Sequence, residues 1–103
     1  MITAILEYCL PTPCARSAVL EKFKQAENRF RGMAGLQRKY FCYDEASGLG
    51  LSVYLWDSKT AAEAVFTEAF ISGFESGFGV RPSIRCIDTL MIVDNAADAV
   101  VVF

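Results

Sequence analysis

The sequence predicts an α+β fold of the ferredoxin-like kind, in the order βαββαβ. A four-stranded antiparallel sheet would carry both helices on one face. Three observations lead there. Four stretches are rich in β-branched and aromatic residues. Two stretches between them repeat apolar residues at spacings of three and four. The third strand-like stretch, Leu49 to Trp56, has no polar face, so it needs cover on both sides.

The first strand is Ile2–Leu10. Ala4, Leu6 and Tyr8 fall on one face, and Thr3, Ile5, Glu7 and Cys9 on the other. Thr12-Pro13 then offers a hydroxyl cap and a proline suited to a first helical turn. From there a helix is expected to about Arg31, with Ala15, Val19, Phe23, Ala26, Phe30 and Met33 in its stripe. Gly32 and Gly35 end it.

Leu36–Tyr43 reads as the second strand, with Leu36, Arg38, Tyr40 and Cys42 on one parity and Gln37, Lys39, Phe41 and Tyr43 on the other. Asp44 to Gly48 is a hairpin loop. Leu49–Trp56 follows, with Leu51, Val53 and Leu55 opposing Ser52, Tyr54 and Trp56. The parities leave open which face Tyr54 and Trp56 occupy. Asp57 or Ser58 caps a second helix whose stripe is Ala62, Val65, Phe66, Ala69 and Phe70. Ile71 to Gly79 holds three glycines and is expected to form only a short helical turn. Ser83–Val93 is the fourth strand. Residues 1–95 thus form one domain, followed by a tail at 96–103. Its Val100–Phe103 end is a strong strand signal that would dock on the body or on a partner subunit.

The bulk numbers narrow the function. A chain of 103 residues with 53% hydrophobic residues has more apolar material than a small domain easily buries. A second subunit is the natural cover for the free sheet face, so a homodimer or higher homo-oligomer is expected. A net charge of −2 gives no general attraction to nucleic acid. RKYFCY is only faintly like an RNA-binding strand. The start MITAILEYCL lacks a basic leader, and no apolar run is long enough for a membrane span. The four cysteines are scattered and there is no histidine. No metal site is therefore expected, and a reducing, cytoplasmic setting fits best.

The βαββαβ order, the G-L-x-x-K-Y of Gly35 to Tyr40, the V-Y-L-W-D-S of Val53 to Ser58 and the Ala-rich helix after it resemble one family. These are the YdhR-type mono-oxygenases, within the antibiotic-biosynthesis mono-oxygenase-like dimeric α+β barrels. The resemblance covers roughly Met1 to Asn95. It implies a homodimer of face-to-face sheets, with a ligand pocket between each sheet and its helices. It also implies a cofactor-independent oxidation of a small apolar or aromatic molecule by dioxygen. The tryptophan after the third strand recurs in that group and matches Trp56. The chain departs from the pattern in three places. Val65 or a neighbour stands where a histidine is frequent, Glu7 and Tyr8 stand where some members place an asparagine, and Leu51-Ser52 replaces a glycine pair. Without histidine, haem degradation loses its usual ligand.

Tyr54 and Trp56 lie on one side of an ideal strand, either as a wall that stacks a flat ligand or as core. Tyr8, Tyr40, Phe66, Phe70 and Phe74 are the other candidate wall residues. Removing a substrate proton needs a base, and holding the resulting anion needs a donor or cation. Glu7 is the candidate base, and Arg38, Lys39 and Arg85 are candidate anion holders. A non-enzymatic homodimeric binding protein of the same fold is the alternative. An open cavity with a polar group favours the enzyme, and a filled interior favours the binder.

Overall fold

A computed structural model describes all 103 residues. The chain runs β1 (Ile2–Cys9), α1 (Arg16–Phe30), β2 (Leu36–Asp44), β3 (Leu49–Trp56), α2 (Lys59–Val65), α3 (Glu68–Phe78), β4 (Ser83–Asp88), β5 (Met91–Asp94) and β6 (Ala99–Val102). The main sheet has the order β2-β3-β1-β4, antiparallel throughout. This is the expected ferredoxin-like arrangement. A separate two-stranded ladder joins β5 and β6.

Alternation along β1 and β3 sets the core. Ile2, Ala4, Leu6 and Tyr8 point to the helices, as do Ser52, Tyr54 and Trp56. These residues, with Val19 of α1, Ala62 of α2 and Phe70 of α3, form one buried cluster. β2 does not keep simple alternation. A bulge between Leu36 and Arg38 resets its phase. Leu36 therefore shares the helix face with Lys39, Phe41 and Tyr43, and not with Arg38, Tyr40 and Cys42 as an unbroken strand would have it.

Helix α1 starts later than Thr12-Pro13 suggests. The Tyr43 hydroxyl donates to the Cys14 carbonyl at 2.8 Å and accepts from the Cys14 N–H at 3.0 Å. With both backbone groups of Cys14 so engaged, the first helical acceptor is Ala15 O, and Ala15 has no side-chain cap to offer. Helix α2 is capped by Ser58, whose hydroxyl accepts from Ala61 N–H at 3.1 Å.

The stretch from Ile71 to Gly79 corrects the expectation of a short turn. It belongs to an eleven-residue helix that Thr67 caps, accepting from Phe70 N–H at 3.2 Å. Phe70, Phe74 and Phe78 recur every four residues and face the sheet. Their packing outweighs the low propensity of Gly73 and Gly77. Gly79, at φ 76°, closes the helix in the left-handed region.

The expected fourth strand, Ser83–Val93, is broken at Thr89-Leu90. The Thr89 N–H donates to Met1 O at 3.0 Å, and the Thr89 and Thr3 hydroxyls bond at 2.6 Å. The chain then turns into β5, and the Val100–Phe103 stretch returns as β6 beside it. Arg38 meets Asp94 at 3.2 Å, tying the hairpin to the outer face of the main sheet. The hairpin thus covers part of the outer sheet face from within the chain. Leu90, Met91, Val93 and Val100 to Phe103 remain exposed, as does Ile87 on the sheet.

Gly50 is where the sheet and its helices meet most closely. It pairs with Tyr8 across β1 and β3, and a Cβ on it would overlap the Tyr8 ring. Gly50→Ala is expected to cost about 1–3 kcal/mol by displacing that ring. Gly73→Ala, where a Cβ meets open space, is expected to add up to about 1 kcal/mol from helix propensity. Urea denaturation of the two variants, read against the parent, checks both signs.

Candidate functional site

Between the sheet and the helix pair α1/α3 lies a cavity of about 170 Å³. Its floor is Tyr8, Lys39, Phe41, Ser52 and Tyr54 from the sheet. Its walls are Phe23, Ala26 and Phe30 of α1 and Phe70, Phe74 and Phe78 of α3. Gly73 and Gly77, one turn apart on α3, also border it. The volume is close to the roughly 150 Å³ of an apolar cavity that holds a benzene ring.

The aromatic walls are locked by their own contacts. Phe74 stacks on Phe78 at 4.4 Å between centroids, and Tyr8 meets them at 4.8 and 5.2 Å. Across the cavity Phe23 meets Phe41 at 4.9 Å. Tyr54 stacks on Trp56 at 5.8 Å and 12°, and Phe66 stands edge-on to both. Trp56 and Phe66 therefore sit behind Tyr54, with Trp56 completely buried. They set the position of Tyr54 but do not reach the cavity.

Lys39 is the polar centre of the site. Its Nζ lies 3.5 Å from the Phe30 centroid, 3.9 Å from Phe41 and 4.7 Å from Tyr54. Burial, with the Arg29 charge second, brings its ammonium down from 10.5 to about 7. The π faces attract a cation and act in the opposite sense. The amine is thus poised between its two forms near neutral pH. Burial also raises the Tyr8 phenol to about 12, with Tyr43 adding to the shift. Burial pushes Tyr54 up as well, partly offset by Ser52 and Arg29. Both tyrosines are neutral donors at pH 7. Tyr8 Oη and the Trp56 indole N–H are buried without a protein partner, and of these only Tyr8 belongs to a cavity-lining residue.

Of the residues singled out from sequence, Tyr8, Tyr54, Phe70, Phe74 and Lys39 come together here. Tyr40 does not, because it is half exposed on the outer face of the sheet, beside Arg38. Glu7, Arg38 and Arg85 are exposed on that same outer face, with the sheet between them and the cavity. The candidate base Glu7 is thus separated from the aromatic walls, and Lys39 is the one candidate of the four that reaches them. Phe23, Phe30, Phe41 and Phe78 are not among the sequence candidates for the site, Ser52 enters there only as part of the Leu51-Ser52 departure, and Arg29 is at the cavity although its sequence cluster reads as solvated. Phe23 and Phe30 were legible as a helix stripe, but nothing in the sequence tells a cavity wall from core. No cluster of three or more His, Cys, Asp or Glu side chains could hold a metal, and no helix is long and apolar enough to cross a membrane.

No family model and no curated protein sequence matches this chain. Solved structures do. A putative antibiotic biosynthesis monooxygenase from Deinococcus radiodurans superposes with a TM-score of 0.67 at 13% identity, over 91% of this chain and 97% of that one. A structure described as an antibiotic biosynthesis monooxygenase gives 0.65 at 16% identity, over 87% and 99%. Rv0793 from Mycobacterium tuberculosis gives 0.61 at 15% identity, over 87% and 96%. At these identities the likeness is one of fold.

The low Lys39 value fixes a pH dependence of stability. An unfolded lysine keeps its proton to about 10.4, so between pH 7 and 10 the unfolded chain binds more protons. Stability attributable to Lys39 therefore rises with pH across that window. Tyr8 and Tyr54 act above it. Their raised values contribute stability that is complete below about 10 and is lost as pH climbs past it. Denaturant midpoints should climb from pH 7 towards 10 and then fall. Lys39→Met should flatten the climb and stabilise the chain at pH 7 by on the order of 2 kcal/mol.

Proposed function

We propose that this protein is a mono-oxygenase-like enzyme of the YdhR type, oxidising a small single-ring phenol with dioxygen and without a cofactor. The observation that carries this reading is the Lys39 amine, held among three aromatic rings in a ring-sized cavity. A base works best when its pKa lies near the working pH, and Lys39 at about 7 meets that condition.

A phenol enters with its ring among Phe30, Phe70 and Phe74 and its hydroxyl towards Lys39. The amine takes the phenolic proton and becomes an ammonium beside the phenolate. The two opposite charges in an apolar site stabilise each other strongly. The phenolate is the electron-rich form that dioxygen attacks, and the Tyr8 hydroxyl is a donor for the developing oxyanion. For a phenol with a free ring position opposite the hydroxyl, the sum is phenol plus O₂ giving a quinone plus water. The substrate supplies all four electrons. One oxygen atom enters the ring, the other leaves as water, and Lys39 returns its proton to that oxygen.

The second part of the reading is a homodimer. The outer sheet face and the hairpin carry Tyr40, Ile87, Met91, Val93 and Val101, all exposed. A depression of about 690 Å³ lies between the hairpin and the sheet. A second copy of the chain, with its own sheet face and its tail at 96–103, is the cover of matching apolar character. The dimer would bury the face opposite the cavity and leave the cavity mouth free.

Two measurements test these statements. Oxygen consumption with a panel of single-ring phenols and hydroquinones is expected for the parent. Lys39→Met should lower it by a hundredfold or more and Tyr8→Phe by about tenfold. No oxygen uptake with any member would remove the enzyme reading, and binding without uptake would establish the binding protein in its place. Light scattering at micromolar protein should give the mass of two chains. Val53→Lys on the outer face should halve it, and a monomeric parent would overturn the dimer.

A further inference from the structure

The charge lining of the cavity is one-sided. Lys22, Arg29 and Lys39 border it and no carboxylate does, although the chain has 12 acidic and 10 basic residues. Lys22 is accounted for. Its Nζ donates to Gly77 O at 2.7 Å at the end of α3 and lies 4.9 Å from the Phe78 centroid. That cation joins α1 to a helix C-terminus, where positive charge is favoured.

Arg29 and Lys39 have no such partner. The ion pairs of the chain are Arg38–Asp94, Lys59–Glu63 and Arg81–Glu68, all elsewhere. Both cations sit over the Phe30 ring, Lys39 at 3.5 Å and Arg29 at 5.7 Å, and Arg29 also lies 5.2 Å from Phe70. Arg29 is exposed while Lys39 is half-buried, so Arg29 marks the mouth and Lys39 the interior. Two like charges beside one ring repel, and the repulsion is part of what lowers Lys39. The other ionisable groups facing them are the tyrosines Tyr8 and Tyr54 from the sheet. From α3 come only Phe70, Gly73, Phe74, Gly77 and Phe78. No side chain lining the cavity carries a negative charge; Glu27 borders the adjoining depression that Phe30 and Lys39 also line.

We infer that the cavity selects a small aromatic acid: one ring among Phe30, Phe70 and Phe74, with its carboxylate outward on the Arg29 guanidinium. The ring fits the cavity volume. The carboxylate suits the planar fork of arginine, which binds it through two hydrogen bonds. Arg29 is then a specificity residue, and Lys39 faces the ring hydroxyl, which lies on a carbon next to or one removed from the carboxylate-bearing carbon, so that the position opposite the hydroxyl stays free. The inference narrows the mono-oxygenase reading to hydroxylated aromatic acids. It rests on that reading only for the choice of cavity, since binding needs no turnover.

Calorimetry with benzoate and with benzamide, its neutral counterpart, separates the two ideas, because neither probe has a hydroxyl to oxidise. Benzoate is expected to bind at least tenfold more tightly than benzamide. Arg29→Met should erase that difference, and Arg29→Lys should restore part of it. Gly77→Leu, which projects into the cavity, should weaken both probes alike. Inorganic phosphate at equal concentration should not displace benzoate. Benzamide binding within threefold of benzoate would overturn the inference, as would phosphate competing equally. Tight benzoate binding without oxidation of any phenol would leave the acid site standing and remove the oxygenase. Oxidation of neutral phenols with no preference for benzoate would do the reverse.

Discussion

The ring of Tyr8 lying across Gly50 is the contact on which the rest of the arrangement depends. A strand glycine exposes backbone that an aromatic ring can cover, and Tyr8 covers it from the neighbouring strand. From there its ring meets Phe74 and Phe78, which fixes the height of α3 above the sheet. Lying against Gly50, the Tyr8 ring borders the cavity. The contact leaves the Tyr8 hydroxyl buried without a protein partner. Native structures seldom leave a buried donor so, and a bound molecule is one thing that satisfies it.

Packing of this kind explains how a small domain keeps a hole beside its core. One aromatic cluster, Tyr54, Trp56 and Phe66, lies at the α2 end, and a second group, Phe23, Phe30, Phe41, Phe74 and Phe78, surrounds the cavity. Lysine at position 39 belongs to the second group. A half-buried amine carries a desolvation cost, which the faces of Phe30, Phe41 and Tyr54 offset in part. It gives the cavity a polar group that volume alone does not.

The sheet and its helices were legible because alternation and the three-four spacing act locally. Ala4, Leu6 and Tyr8 are inside as their parity requires, and Val19, Phe23 and Phe30 are inside as their stripe requires. What escaped was decided by contacts distant in sequence. The bulge after Leu36 shifts the phase of β2, and no local pattern announces it. Glu7 reads as a conspicuous charge on an apolar strand, but its parity places it on the outer face, away from Tyr8. Trp56 reads as a pocket residue by its position after the third strand. Phe66, from the break between α2 and α3, closes over it instead. Lys39 is a sequence candidate for its charge, yet its place at the cavity follows from Phe30, Phe41 and Tyr54 converging on it from three elements. Aromatic residues were plentiful enough to suggest a pocket without saying which of them border empty space.

The glycines of α3 carry a consequence for kinetics. Gly73 and Gly77 put no side chain between α1 and α3, and they also leave the second half of the helix weakly held by its own backbone. Segments of low local stability open first, well below the free energy of global unfolding. The wall of the cavity is therefore held in helical form by its phenylalanine contacts more than by its own backbone, and within α3 the last turns, next to Gly79, are the ones that would open first. Passage of a molecule in or out would be timed by amide opening along α3, with the sheet standing still beneath it.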